Sequence, residues 1–335
     1  MNIRWRDKTH GGLNGWLEAA LFVIAISALT VLYAIAQAAG AHMSVFIFYT
    51  MAASAAGMLA ITGWGKDAGD VILTRQSWVF GTATVGLEAL YFLLLGILTP
   101  AEASLALRLA VPVSLVIGWL FFSRTMTNRI WFGAAIIIVA VIPILWGLDN
   151  ARIFSATLLA LACALVVSIK TFASEFHPWN RRAETVREKL RVTGLVVLAT
   201  TLIAATALIC SVFLVFYGIL PANPMTPEPA AFWHVPTLAL ALFCGAPVFI
   251  AMTYLTFSSV VKIGTESFLG TSALTPFSAL ALEALAAGFG ILAVPNYDWK
   301  LIPLILLGVV GVFIVISGRH KSAPPRNSCP IRGGR

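Results

Sequence analysis

Polar side chains recur at helical spacing inside long apolar stretches of the sequence, and they are the first residues that could do chemistry. A spacing of three to four residues places side chains on one face of a helix, where they could line a path for a polar molecule. Alternatively, a Ser or Thr bonds to its own helix backbone or joins two helices. We favour the path for the first stretch, whose polar face includes Tyr and Gln. The candidate path residues are Ser27, Thr30, Tyr33, Gln37, Thr84, Glu88, Tyr91, Arg108 and Thr275.

Two of these candidates, Glu88 and Arg108, bring charge into stretches that are otherwise apolar. The stretches 77–98 and 101–123 are joined by a short turn, so they should form an antiparallel hairpin with both residues at equal depth. Since a charge at the centre of a bilayer costs about 2.5–3.5 kcal/mol, we expect an ion pair. The pair either locks the hairpin, or Arg108 meets a substrate carboxylate or phosphate while Glu88 positions it or takes a coupling proton.

The sequence contains no motif typical of an enzyme. HExxH, the phosphate-binding GxxxxGK, GxGxxG and a Ser/His/Asp arrangement are all missing, and none of the four cysteines forms a CxxC pair. We therefore predict no enzymatic activity, no catalytic residue, no metal ligand and no cofactor. Without an ATP-binding module in the chain, ATP could act only through a partner.

Composition predicts a helical membrane protein. Of the 335 residues, 59% are hydrophobic and 11% are charged, whereas soluble domains carry about 25% charged residues. The mean hydropathy of +0.92 excludes soluble, disordered and fibrous proteins, and long continuous apolar runs exclude a β-barrel. The net charge of +8 is explained by the excess of Lys and Arg on the cytoplasmic side of membrane proteins, so we expect membrane lipid and no nucleic acid as a partner.

Ten stretches reach the roughly 20 apolar residues that cross a bilayer. Placing the N-terminus inside puts eighteen of the 22 Lys and Arg residues in cytoplasmic segments and two in outer loops, so both termini are predicted to be cytoplasmic. The flanking segments are 1–14 and a basic tail, 319–335, that we expect to be disordered. The predicted spans are 15–39, 43–63, 77–98, 101–123, 129–148, 153–174, 192–219, 233–258, 265–290 and 299–318.

Three further charged residues fall near predicted cytoplasmic span ends. Lys170 in the sixth span is expected to extend its stem to the surface and keep its ammonium group in water. Glu18 and Glu266 are expected to reach water as well. None of the three is predicted to be a site residue.

A weak internal repeat supports two halves of five spans. Displacing the sequence by 164 positions superposes five identical residues, among them Pro112 on Pro276, and superposes the third and fourth spans on the eighth and ninth. Five crossings reverse direction, so the halves 15–148 and 153–318 would be inverted repeats. A mid-span proline kinks a helix; the two matched kinks either improve packing or shape a substrate path.

The segment around Pro112 resembles a known family. Residues 99–145, beginning TPAEASLALRLAVPVS, resemble the EamA-like branch of the drug/metabolite transporter superfamily, with Pro-Ala-x-Ala entering the fourth helix, a mid-helix Pro, a basic hinge and a Gly-containing fifth helix. Residues 262–285, beginning KIGTESFLG, resemble a second copy. The resemblance implies ten helices in two inverted five-helix repeats around a central cavity. One departure is Arg124, which stands where the family often has an acidic residue.

These features together predict a secondary transporter or facilitator that moves a small polar or amphipathic metabolite by alternating access. The resemblance implies small-molecule export, amino acids being one class, with a proton as a candidate coupling ion. The alternatives are a structural or sensory subunit without transport and a membrane-embedded transferase. The short loops and compact chain favour a bacterial inner membrane.

The predicted topology can be tested by labelling. In a background without native cysteines, Thr185→Cys should react with an impermeant maleimide only from the cytoplasmic side and Met225→Cys only from the outside, because the basic residues assign their loops to opposite faces. Reaction of both positions from outside would contradict the ten-span topology.

Overall fold

The computed structural model describes residues 13–223, 225–292 and 301–320, and its long elements are all helices. The ten predicted spans are confirmed as ten helices long and apolar enough to cross a membrane. They are α1 Gly15–Ala38, α2 Met43–Thr62, α3 Arg75–Leu95, α4 Pro100–Phe122, α5 Asn128–Trp146, α6 Arg152–Glu175, α7 Val186–Phe216, α8 Val235–Ile263, α9 Thr265–Gly288 and α10 Leu301–Gly318. The predicted N-terminal segment and basic tail lie almost wholly outside the described residues.

Capping residues explain where two helices begin. Thr99 and Glu102 form a reciprocal capping box at the start of α4, with Pro100 in the first turn. Thr185 and Glu188 do the same for α7, which therefore begins at Val186 and not at the predicted 192. The charged first turn of α7 hid this start from a search for apolar residues.

The helices pack as one bundle with a recurring set of neighbours. Extensive contacts join α5 to α10, α2 to α7, α3 to α6, and α1 to α8, while α9 contacts α1 and α4, and α6 contacts α4. Most buried apolar side chains, from both halves, form one large core cluster, and smaller clusters form around Phe80 and around Val45. Large exposed apolar side chains such as Phe121, Phe132, Phe154 and Phe243 lie on the outside, as expected for surfaces that face lipid.

The helices α4 and α9 are each interrupted close to a proline. In α4 a 3-10 turn at Leu107–Leu109 precedes Pro112, and in α9 a 3-10 turn at Ser272–Leu274 precedes Pro276. Proline has no N–H to give to the carbonyl four residues earlier, so the regular hydrogen-bond pattern cannot continue through these positions. The two breaks meet inside the bundle, where α4 packs on α9.

A close helix crossing joins α5 and α10 through two glycines. A Cβ atom added at Gly133 would lie 2.6 Å from the carbonyl oxygen of Gly311, and one added at Gly311 would lie 2.9 Å from that of Gly133. Only residues without a side chain allow the two backbones to approach so closely.

Replacing either glycine by Ala should therefore force α5 and α10 apart. We expect Gly133→Ala and Gly311→Ala each to destabilise the protein by about 1–3 kcal/mol, the usual penalty for overpacking, measured as a lower thermal midpoint in detergent. Gly86→Ala is the matched control, because an added Cβ there meets no atom within 4 Å. Equal midpoints for all three variants would contradict the tight crossing.

Candidate functional site

A cavity of about 80 Å³ lies inside the bundle between α1, α3, α4, α6, α8 and α9. This volume holds roughly six water molecules, at about 10–15 Å³ each. Both 3-10 turns contribute to its wall, and most of the wall is apolar. Its polar wall residues are Arg108, Lys170, Thr171, Thr256, Ser272 and Thr275.

Arg108 connects the two broken helices at this cavity. Its Nε donates to the carbonyl of Ser104 at 3.0 Å, and its Nη1 donates to the carbonyl of Ser272 and, at 2.7 Å, to the Ser272 hydroxyl. In a regular helix the Ser272 carbonyl would accept the N–H of residue 276, which is a proline. The break in α9 thus presents an acceptor to Arg108 of α4.

The predicted ion pair between Glu88 and Arg108 is wrong. The carboxylate of Glu88 accepts a hydrogen bond from the Tyr33 hydroxyl at 2.6 Å, and the basic group whose charge acts on it is Lys170. Equal depth in a hairpin fixes the height of two residues but not the direction in which each leaves its helix axis. The 3-10 turn directs Arg108 towards α9.

Lys170 also differs from its prediction. Its side chain does not reach the surface; the residue is 8% exposed, lines the cavity, and holds its Nζ 5.3 Å from the ring centroid of Phe80. The helix ends close to its predicted position, at Glu175, so the difference lies in the direction of the side chain, which points into the bundle and not along α6 to the surface.

The polar face of α1 forms a layer above the cavity. Tyr33 donates to Glu88, and Tyr91 donates to Thr30 at 3.3 Å, so α1 and α3 are joined twice. One turn further in, Ser27 donates to the carbonyls of Val23 and, at 3.2 Å, of Thr275. Six of the predicted path residues therefore belong to the cavity wall or to this Tyr33–Tyr91 layer, and a seventh, Ser27, is bonded to Thr275 of the wall.

The remaining two predicted path residues lie apart from that network. Gln37 lines a second cavity, of about 730 Å³, at the predicted outer end, together with His42, Phe92, Glu228 and Trp233. Thr84 is fully buried, and its hydroxyl has no hydrogen-bond partner among the described residues. The Tyr33–Tyr91 layer separates the outer cavity from the inner one, since Phe92 borders the former and Leu87 the latter.

Ion pairs close the predicted cytoplasmic end. Arg124 at the end of α4 contacts Glu266 of α9 and Glu175 of α6, the latter at 2.9 Å, and Glu175 also accepts from the N–H of Thr265 at 3.1 Å. The guanidinium lies 5.3 Å from the ring centroid of Phe172. These residues, which we call the Arg124 cluster, join three helices, although the sequence singled out Arg124 only as a departure from a family pattern.

A second cluster lies beside the first. Lys262 of α8 contacts Glu18 of α1 at 2.7 Å, and Ser258 donates to the same carboxylate at 2.8 Å. Deeper in the bundle, the rings of Phe22 and Phe268 are 4.6 Å apart and both border the cavity.

The expectation that Glu18 and Glu266 extend to water is wrong, because both are about 1% exposed. Opposite charges on neighbouring helices, invisible along the chain, hold them inside.

The side chains around the cavity are of kinds that bind small molecules. Among residues 13–223, 225–292 and 301–320, no group of three or more His, Cys, Asp or Glu side chains is placed to hold a metal ion. The site instead offers a guanidinium, an ammonium, hydroxyl groups and an apolar wall between two closed ends.

Comparison with known proteins reports the fold and not the activity. No family model and no curated protein matches the chain. A solved structure described as "Crystal structure of protein" is similar over 91% of this chain and 98% of its own, with a TM-score of 0.55 and 21% identity. At this identity the likeness shows a shared fold alone.

If the Arg124 cluster closes the predicted cytoplasmic end of the cavity, removing its arginine should open that end. In a cysteine-free background with Thr275→Cys as a reporter in the cavity wall, Arg124→Gln should raise the rate of modification by a charged thiol reagent from the cytoplasmic side by about tenfold, because both carboxylates lose their ion pair with Arg124; that factor corresponds to about 1.4 kcal/mol of closure.

Arg129→Gln serves as the control, since Arg129 is exposed one turn beyond the cluster. It should leave the modification rate unchanged. A rate that is the same in both variants would show that the ion pairs do not close this end.

Proposed function

We propose that the chain is a secondary transporter or facilitator that moves a small polar or amphipathic metabolite across a membrane by alternating access. The observation that carries the proposal is an internal cavity with charged side chains, closed by the Arg124 cluster at one end and by the Tyr33–Tyr91 layer at the other. A carrier needs such a site between two barriers that open in turn, whereas a structural subunit has no use for charges that are expensive to bury.

The pattern of helix contacts supports the inverted repeat. Exchanging the first five helices for the last five converts the α3–α6 contact into α8–α1 and the α4–α6 contact into α9–α1, and it returns α2–α7 and α5–α10 to themselves. Each of these contacts is present. Such a pattern is what two structurally equivalent halves would produce.

A contact between corresponding positions of the two halves, at the cavity, also supports the inverted repeat. Arg108 and Ser272 are 164 residues apart, the displacement that superposes Pro112 on Pro276, so they are equivalent positions in the two halves. Equivalent residues touch only close to the axis that relates the halves. Transporters built from inverted repeats bind substrate at that axis, between broken helices.

The same features favour membership of the EamA-like branch and a bacterial inner membrane, with both termini in the cytoplasm. Glu88 is the candidate carrier of a coupling proton, because it is buried in the layer that separates the two cavities and is bonded to Tyr33. Export of amino acids is one activity that this arrangement would serve.

Counterflow in proteoliposomes tests the proposal. The purified full chain should exchange at least one member of a panel of labelled amino acids, sugars and nucleosides faster than protein-free vesicles, with and without a pH difference. Absence of flux for every member, from protein that remains folded, would favour the structural or sensory alternative.

The helix breaks give this experiment a matched pair of variants. Pro112→Ala combined with Pro276→Ala should lower flux per folded molecule by about tenfold, equivalent to about 1.4 kcal/mol in the barrier, because continuous helices bend less readily at the cavity. Pro143→Ala, which removes a proline from the inside of α5 away from the cavity, should leave flux unchanged. If neither variant changes flux, the breaks serve packing alone.

A further inference from the structure

Two basic side chains line the inner cavity from different helices. Arg108 of α4 and Lys170 of α6 both border it, and they are only 6% and 8% exposed. Neither can place its charge in bulk water, since the cavity lies between the Arg124 cluster and the Tyr33–Tyr91 layer. Whatever enters the cavity meets both groups.

Neither cation forms an ion pair with a carboxylate within the described part of the chain. The ion pairs found there join Arg124 to Glu175 and Glu266, and Lys262 to Glu18. The bonds of Arg108 go to a hydroxyl and to carbonyl oxygens through Nε and Nη1. They orient the guanidinium but do not neutralise it.

Lys170 is the less satisfied of the two. In the described residues its ammonium group has the face of the Phe80 ring at 5.3 Å and no hydrogen-bond acceptor. The charge of Glu88 acts on it, but the carboxylate of Glu88 is not within ion-pair distance and accepts from Tyr33 instead. An ammonium group has three donors, and Lys170 brings them to the wall of the cavity.

We propose that this pair of cations is an anion site, and that the transported molecule is a small organic monoanion whose carboxylate lies between Arg108 and Lys170. This inference rests on the proposed transport function and names its substrate class. A buried charge without a partner is unfavourable in a membrane, and an anionic ligand removes the cost for both cations at once.

The charge and the shape of the cavity together limit the class of ligand that it can bind. Two positive charges and the single negative charge of Glu88 leave one positive charge, which a monoanion balances. The rest of the wall is apolar, with Phe22, Leu87, Val111 and Met252 among its members, so the body of the ligand should be apolar. A cavity of about 80 Å³ accommodates an acid with few carbon atoms.

Thermal unfolding of the purified full chain in detergent tests the site without requiring transport. At constant ionic strength, sodium butyrate and sodium propane-1-sulfonate should each raise the midpoint in a saturable way, since a ligand that binds only the folded state stabilises it. Butanamide, which has the same shape without charge, and tetramethylammonium should not. No saturable shift with either anion overturns the proposal.

A chloride titration against gluconate separates an organic from an inorganic anion. If chloride stabilises the protein at the same concentrations as butyrate, the site is selective for charge alone and the organic class is wrong. Stabilisation by butyrate at concentrations at least about tenfold lower supports the contribution of the apolar wall.

Variants of Lys170 test whether the stabilisation by butyrate depends on this residue. Lys170→Met keeps the length of the side chain and removes its charge, so the half-saturating concentration of butyrate should rise at least about tenfold, while Lys66→Met, at an exposed position, should leave it unchanged. Equal affinities in both variants overturn the role of Lys170. If Lys170→Met does not fold, Lys170→Arg retains a cation and should bind butyrate within about tenfold of the unmodified protein; loss of binding there also overturns the site.

Flux distinguishes failure of this inference from failure of the proposed function. Lys170→Met could transport an uncharged member of the panel at the unmodified rate and bind butyrate as tightly as the unmodified protein. The protein would then be a carrier, but Lys170 would not be part of an anion site. If no compound is transported while butyrate still stabilises the protein through Lys170, the anion site stands and the transport function fails.

Discussion

The guanidinium of Arg108 holds the centre of the molecule together. Two helices are broken close to their prolines, and a broken helix presents a backbone carbonyl that the regular pattern would have used. In a membrane such a group needs a partner within the protein. The Ser272 carbonyl accepts from Thr275 and from Arg108, and the bond from Arg108 ties α4 to α9 and brings a positive charge to the cavity wall.

The other buried charged residues lie towards the two ends of the helices, on either side of Arg108. At one end, carboxylates from α1, α6 and α9 are matched by Arg124 and Lys262. At the other, a carboxylate is held by a tyrosine hydroxyl. Ion pairs close to a membrane surface can exchange partners for water at modest cost, whereas the Tyr33–Glu88 bond involves a single proton donor. The two ends therefore differ in chemistry: ion pairs join the helices at one, and a hydrogen bond from Tyr33 to Glu88 joins them at the other.

Arg124 shows how a single residue after α4 acquires a structural role. An acidic residue at that position would face two further carboxylates, Glu175 and Glu266, and repel both. With arginine there, the same three positions attract one another, and the rings of Phe122 and Phe172 lie beside the guanidinium, with Phe176 stacked on Phe122. The closure of this end is thus a property of this chain's own residues.

The positions of the ten spans and of the two helix breaks could be predicted from the sequence, and so could the shared helix face of the polar residues in α1. They depend on local properties: the length of apolar runs, the missing N–H of proline, and the helical spacing of Thr30, Tyr33 and Gln37. The start of α7 could also be predicted from the sequence, because Thr185 and Glu188 are typical capping residues. A search for long apolar stretches does not detect it, since the first turn of α7 is charged.

The partners of the charged residues could only be decided by the tertiary structure. Glu88 and Arg108 were matched by depth, yet one meets Tyr33 and the other meets Ser272, because the direction of a side chain around its helix axis depends on which helix packs there. Lys170, Glu18 and Glu266 were assigned to water for the same reason. Hydropathy along a chain measures how deep a residue lies, whereas ion pairs and cavities depend on the lateral order of helices, which is fixed by contacts between residues far apart in sequence.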